Sequence, residues 1–267
     1  MTKELKGRRA LVSGATRGIG KAIAMNLAGH GVSLVICGRS FDKLEKTVEE
    51  IWTETGNRPS LIQANVCEDG AIESMFQLSS LSGGLDILIN NVGGPVKTGN
   101  LFELDNQDWL DVFNFNLMTA VRFSKTTIPL LRKSRHPRII NISSLVAHQP
   151  GKYNPHYGVA KAGLEYFTKY LATELAKDGI LVNAIAPDTL KGGGWVDNVQ
   201  KKADIMQISF GEAEVLMERE CSAKVPLGHI GQLEDVAELV AFLVSDKAKH
   251  ITGSVFDVDG GRRASVR

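Results

Sequence analysis

Disulfide chemistry has little to work with in this chain. Its 267 residues include three cysteines, Cys37, Cys67 and Cys221. An odd number without paired spacing excludes a disulfide framework and a structural zinc site. Cys37 falls in an apolar run and reads as a buried thiol. Such usage suits a reducing compartment, so a cytoplasmic location is expected. Charge of one sign is also lacking. The formal net charge is +1, no face-long run of Lys or Arg stands out, and no nucleic-acid partner is expected. Long hydrophobic runs are missing too. Leu239 to Val244 is among the longest and is far too short to span a bilayer. Met1 to Arg9 is charged with no apolar stretch behind it, so neither membrane association nor a leader is expected. No His/Cys/carboxylate cluster has metal-ligand spacing, and no catalytic metal is expected. No Gly-x-Ser-x-Gly turn is present, which leaves a serine hydrolase built on Ser144 and His148 remote. Repeats, low-complexity tracts and linkers are absent. The chain reads as one domain over 1–267.

What is there is an alternation. Arg9 to Ser13 reads as a short buried strand, and Ser33 to Cys37 as the second. Others are expected at Leu61 to Val66, Leu85 to Asn90, Arg138 to Ser143, Ile180 to Ala186 and Ser254 to Val258. Between them lie helical patterns at Phe41 to Thr55, Asp69 to Leu81, Asn106 towards Ser134 with a bend at Pro129, Asn154 to Asp178, and Leu233 to Ser245. Strands alternating with helices predict an α/β fold with a mostly parallel sheet. Little polar alternation within the strands predicts helices on both faces.

The first strand runs directly into Gly14-Ala15-Thr16-Arg17-Gly18-Ile19-Gly20 and then a helical rhythm. Strand, glycine turn and helix together make a phosphate site. Glycines let the backbone approach a pyrophosphate, and the helix N-terminus offers unpaired N–H groups and partial positive charge. Gly14, Thr16, Arg17, Gly18, Ile19 and Gly20 are therefore candidate cofactor residues. The competing reading is a plain glycine-rich turn. An NAD site usually ends its second strand on an acid that bonds the ribose hydroxyls. Here Gly38, Arg39 and Ser40 occupy that place. Arg39 with Arg17 would suit a 2′-phosphate, which favours NADP(H) over NAD(H). The competing reading of Arg39 is a solvated loop arginine.

Tyr157 and Lys161 stand four residues apart in a helical pattern, on one face and one turn from each other. An ammonium beside a phenol favours the phenolate and lowers its pKa, which general acid–base chemistry near neutral pH needs.

These motifs together resemble the short-chain dehydrogenase/reductase family over nearly the whole chain. The residues that carry the resemblance are Ser13 to Gly20, Asn90-Asn91-Val92-Gly93, Ser143-Ser144, and Tyr157 with Lys161. The members most resembled are of the 3-oxoacyl-(acyl-carrier-protein) reductase kind. The resemblance implies a Rossmann-like doubly wound sheet. It implies that Tyr157 exchanges the proton with the substrate oxygen, that Lys161 lowers the Tyr157 pKa and bonds the nicotinamide ribose, and that Ser144 polarises the carbonyl. It further implies that Asn116 supports a proton relay, with Asn114 as its decoy, and that Asn91 and Gly93 lie along the cofactor. Ser40, Asn65, Val66 and Thr189 join the implied cofactor contacts. Asn90 is expected to stabilise the sheet. Pro187-Asp188 replaces the family's Pro-Gly and would place a carboxylate near the nicotinamide carboxamide. The C-terminal Phe256 to Gly261 also resembles the family, whose members are commonly tetramers, so a homotetramer is expected.

Two segments should shape the substrate pocket. One is the loop Leu145 to His156, in which His148 and His156 are either substrate contacts or solvated. The other is a lid at about 190–226, hinged at Lys191-Gly192-Gly193-Gly194, whose Trp195, Met206, Ile208, Phe210 and Met217 either face substrate or form core. The expected activity is hydride transfer between NADP(H) and a ketone or secondary alcohol, with 3-oxoacyl thioesters or small cyclic ketones as substrates. The alternatives are an NAD-dependent alcohol or polyol dehydrogenase and a non-catalytic nucleotide-binding redox sensor.

Overall fold

Burial runs unbroken through the middle of the sheet. All of β4 (Ile87–Asn90) and β5 (Arg138–Ile142) is buried, as is β1 (Arg9–Ser13) after its first residue. Strands covered on both faces have no solvent side to mark with polar residues. The computed structural model describes residues 5–68, 70–78, 84–151 and 153–265. The remaining strands are β2 (Ser33–Gly38), β3 (Ser60–Gln63), β6 (Leu181–Pro187) and β9 (Val255–Val258). They form a seven-stranded sheet in the order β3-β2-β1-β4-β5-β6-β9, with every pairing parallel.

Alternate residues of one strand feed different cores. Ala10 and Val12 pack with α1 (Gly18–Gly29), α2 (Phe41–Thr55) and α9 (Leu233–Val244) on one face. Leu11 packs with α3 (Ala71–Leu78), α5 (Thr119–Leu131) and α6 (Pro155–Glu174) on the other. Cys37 belongs to this second core, where burial pushes its thiol up to about 12. It therefore stays a protonated, inert hydrophobe.

Local chemistry sets the helix ends. Ser40 caps α2 by accepting from the Lys43 N–H, and Gly56 closes it at φ 69°, a left-handed conformation that glycine takes without strain. The helix before β5 differs from expectation. Asp105, not Asn106, caps α4 (Asn106–Phe113), in a reciprocal capping box with Asp108. The long helix is then interrupted not at Pro129 but by one π turn, Asn114–Met118. α6 starts at Pro155 because Asn154 sits at φ 68°, and it gives way to a 3-10 turn, Ala176–Asp178. Asp69 and residues 79–81 of the expected third helix lie outside the described residues. Among the described residues no helix is long and apolar enough to cross a membrane.

Between β6 and α9 the chain forms β7 (Leu190–Lys191), α7 (Gly194–Met206), α8 (Phe210–Ser222) and β8 (Gly231–Gln232), with β7 pairing to β8. Trp195, Ile208 and Met217 pack into a small core of this segment. Met206 and Phe210 remain exposed.

Candidate active site

The strand order reverses direction between β1 and β4, the crevice where open α/β sheets bind ligands at the carboxyl ends of their strands. The glycine loop leaves β1 at this point. Gly14 and Gly18 have φ 65° and 55°, which L side chains rarely adopt. A Cβ on Gly20 would lie 2.4 Å from both the Gly14 carbonyl and the Asn91 amide, so the helix approaches the loop as closely as its backbone allows. Arg17 precedes α1 without a capping side chain, and no acid occupies the first turn. The N-terminus keeps its donors for an anion. These features fit a dinucleotide pyrophosphate.

The loop is tied to β4. Ser13 Oγ donates to the Ile89 carbonyl at 3.1 Å and accepts from the Asn91 and Val92 N–H groups. The Asn91 side-chain amide donates to the carbonyls of Ser13 and Gly14, both at 3.0 Å. Asn91 thus braces the loop with its side chain. Asn90 ties β4 to β5 through Asn141 at 2.8 Å, the sheet-stabilising part implied for it.

The other cofactor candidates have varied partners. Thr16 lies against Gly38, where an added Cβ would come 3.1 Å from its methyl. Ile19 packs on the first core, and Val66 is buried in the second. Ser40 is engaged as the α2 cap, and Asn65 donates to Glu68 at 2.8 Å. Arg39 is exposed beyond the end of β2. Arg17 pairs with Asp197 of α7 at 2.7 Å. Thr189 donates to Asp188 at 3.4 Å.

Four catalytic candidates converge beside this loop. Tyr157 and Lys161 share one face of α6, and Ser144 follows Ser143 just past β5, capping the short turn Leu145–Ala147. Ser144 hydrogen-bonds Tyr157, which lowers the phenol pKa, but burial acts more strongly and the net direction is up. This corrects the expectation that Lys161 lowers it here. Lys161 Nζ lies 5.8 Å from the Tyr157 ring centroid and donates instead to the Ile142 carbonyl at 2.7 Å. Burial takes Lys161 down to about 8, opposed by Glu165.

Asn116 occupies the π turn and is fully buried. Its amide donates to the carbonyls of Gly94 and Val112, both at 3.0 Å, and its oxygen accepts from the Gly94 N–H at 2.8 Å. A π turn frees backbone groups within a helix and often marks a functional site. A Cβ on Gly93 would fall 2.7 Å from Asn116 Oδ1 and 2.8 Å from Lys161 Nζ, so Gly93 lies directly on both. Asn114 is structural, bonding the Cys67 carbonyl and Arg122.

Three residues depart from expectation. Asp188 is held by Arg262, whose Nη1 lies 2.7 Å from both carboxylate oxygens. Its charge is therefore balanced by the C-terminal segment. His156 is fully buried against Trp109, with ring centroids 5.8 Å apart, because it lies on the inner face of α6. His148 lies against Glu165. Glu165 was not singled out in the sequence; its signal is an acid one helical turn beyond Lys161. Among the described residues no group of three or more His, Cys, Asp or Glu is placed to hold a metal.

Known proteins resemble this chain in sequence and fold. Residues 14–263 match the family model described as enoyl-(acyl carrier protein) reductase. The chain belongs to the short-chain dehydrogenase/reductase family. It is an oxidoreductase of the C=O/CH–OH couple. The 3-oxoacyl-(acyl-carrier-protein) reductase FabG of Aquifex aeolicus is 35% identical over 263 residues, covering 98% of this chain and 99% of that protein. The reductase of the same name from Staphylococcus aureus is 37% identical over 258 residues, covering 95% and 97%. Among solved structures, L-sorbose reductase from Gluconobacter frateurii, complexed with NADPH and L-sorbose, has TM-score 0.92 at 29% identity with full coverage of both chains. Actinorhodin polyketide ketoreductase with NADPH has TM-score 0.87 at 32% identity, covering 99% and 100%.

Proposed function

We propose that this enzyme is an NADPH-dependent ketoreductase acting on a 3-oxoacyl thioester. The observation that carries the reading is the convergence of Ser144, Tyr157, Lys161 and Asn116 beside a glycine loop whose neighbouring strand ends on Gly38, with Arg39 next and no acid there. Bound NADPH supplies the hydride. The chain's residues manage the oxygen. Ser144 and Tyr157, already hydrogen-bonded to each other, hold the substrate carbonyl between two hydroxyls, and Tyr157 gives it a proton as negative charge develops. Lys161, fixed on the Ile142 carbonyl, keeps a positive charge on that side of the phenol and bonds the nicotinamide ribose. Asn116 links the Gly93-Gly94 backbone to this group and supports proton resupply.

The thioester substrate is favoured by full-length similarity to two acyl-carrier-protein reductases at 35% and 37% identity. A ketose is the second reading, favoured by the TM-score of 0.92 to a sorbose reductase. In the segment 190–226, α7 and α8 pack on their own core, and residues Gly192 and Gly193 at φ 108° and 56° form the hinge of a lid closing over substrate. The inert thiol of Cys37 and the free cysteines suit a cytoplasmic protein. We further infer a homotetramer: Val159, Tyr166 and Tyr170 recur along one exposed face of α6, an apolar stripe suited to a second copy.

The test is turnover of 3-oxoacyl thioesters and ketohexoses with NADPH, in the native enzyme and in Tyr157→Phe. The variant is expected to lose turnover while retaining NADPH binding. Full activity in it would remove the mechanism, and preference for the ketose would exchange the two substrates.

A further inference from the structure

Behind the Tyr157–Lys161 face, α6 turns one more ionisable side chain inward. Glu165 follows Lys161 by one turn and shares its face. Its side chain is 11% exposed, and a carboxylate so placed needs partners for both oxygens. Ser143 Oγ, just past β5, donates to Oε1 at 2.6 Å. His148 Nε2 lies 3.1 Å from Oε2, and 3.8 Å from Oδ1 of Asp257 on β9. Asp257 pairs with Arg263 at 3.0 Å, and the Ala264 N–H donates to Gln149 at 3.3 Å. A line of polar contacts therefore runs from the C-terminal tail, across the substrate-side loop, to the carboxylate beyond Lys161.

Two of these contacts bracket Ser144. Ser143 precedes it, and His148 ends the single 3-10 turn, Leu145–Ala147, that Ser144 caps. Fixing both ends of so short a turn fixes the hydroxyl between them.

We propose that Glu165 is a positioning residue of the reduction: it anchors the Ser144 turn through Ser143 and His148, and its negative charge keeps Lys161 protonated beside Tyr157. The proposal rests on the roles given above to Ser144, Tyr157 and Lys161. Burial opposes the charge on Lys161, and Glu165 acts against that burial. The groups around Glu165 are Lys161 on its own helix, Ser143 after β5, His148 on the loop, and Asp257 with Arg263 from β9 and the tail.

Two variants separate charge from reach. Glu165→Gln keeps the shape and removes the charge. The alkaline limb of kcat/KM for reduction should move to lower pH by at least about half a unit, because the Tyr157–Lys161 pair then loses its proton more readily. Glu165→Asp keeps the charge and shortens the reach to Ser143 and His148. It should lower kcat by about 5-fold or more with the limb in place. NADPH binding verifies the fold of each variant. A native pH profile in Glu165→Gln would overturn the electrostatic half, and a native kcat in Glu165→Asp would overturn the anchoring half. Should Glu165→Gln fail to fold, Ser143→Ala reads the anchor alone, and an unchanged kcat there would likewise overturn it. Tyr157→Phe is the control: if it keeps activity, the underlying mechanism fails, whereas loss of activity in it beside native behaviour in both Glu165 variants sinks only this proposal.

Discussion

Lys161 Nζ donates to the backbone carbonyl of Ile142 at 2.7 Å while standing 5.8 Å from the centre of the Tyr157 ring. The ammonium is thus moored to the sheet and stays beside the phenol without bonding it. Burial makes the mooring costly. With the Lys161 pKa lowered from 10.5 to about 8, the unfolded chain binds a proton across that window that the folded chain does not. The penalty is full below about 8 and is relieved as pH rises to 10.5, so this group's contribution to stability improves with pH. Lys161→Met removes both charge and penalty. Between pH 8 and 10.5 the native protein should gain roughly 3 kcal/mol relative to this variant, read by denaturant unfolding at both pH values. A constant difference would show that Lys161 is not destabilised by burial. The variant should also lose at least about 100-fold in kcat.

Gly93 and Gly20 each lack room for a methyl group, but the obstacles differ. At Gly93 the added Cβ meets the far ends of two side chains, Asn116 and Lys161. These can move, so Gly93→Ala should fold with near-native stability and lose about 10- to 100-fold in kcat as both groups are displaced. At Gly20 the Cβ meets the Gly14 carbonyl at 2.4 Å, which is backbone and cannot move alone. Gly20→Ala should deform the loop and abolish NADPH binding. Stopped-flow turnover and cofactor titration of the pair distinguish the two outcomes, and equal effects on binding would contradict this division.

Arg17 is held by Asp197 across an exposed pair at 2.7 Å, so a cofactor 2′-phosphate must compete with a carboxylate for it. Surface pairs contribute about 0 to 1 kcal/mol, and Asp197→Asn should therefore tighten NADPH only about 2- to 5-fold, leaving NADH unchanged. Arg39 has no carboxylate partner among the described contacts, and Arg39→Ala should weaken NADPH by about 10-fold or more without affecting NADH. Fluorescence titration of both cofactors on the native enzyme and the two variants, at one salt concentration, reads all the constants. Equal losses for NADPH and NADH in Arg39→Ala would remove the 2′-phosphate contact.

The legible parts of this protein are those set by neighbouring residues. The bounds of α2, Phe41 and Thr55, follow from Ser40 and Gly56, which act within a turn of the helix. Tyr157 and Lys161 share a face because spacing on a helix fixes it. The π turn at Asn114–Met118 escaped because one extra residue in a turn leaves the apolar pattern nearly intact. β3 ends at Gln63 and not at Val66 because it is an edge strand paired only to β2, and the chain turns at Asn65. The partners of Asp188 and Asp197 escaped for another reason. Arg262 and Arg17 lie 74 and 180 positions away along the chain, and only the folded sheet brings them together.

Assembly can be tested at one side chain. Tyr166 is 80% exposed, and Val159 and Tyr170 lie on the same face of α6 at 50% and 56%. Gly163 sits between them, and a Cβ there would touch Leu117 of the same chain at 3.3 Å, so α6 packs closely on its own π turn at this position. A face with so much apolar surface in water is stabilised by covering it. Tyr166→Glu places a charge at the middle of that contact, where desolvation without a partner is costly. Light scattering should give a tetramer for the native chain and a smaller species for the variant. The variant should unfold at a lower temperature than the native chain at equal protein concentration, since its subunits no longer stabilise one another by mass action. Because Tyr166 points away from Lys161 and Ser144 around the helix, any loss of turnover should follow the loss of assembly and recover at high protein concentration. An unchanged mass in Tyr166→Glu would move the subunit contact elsewhere on the surface.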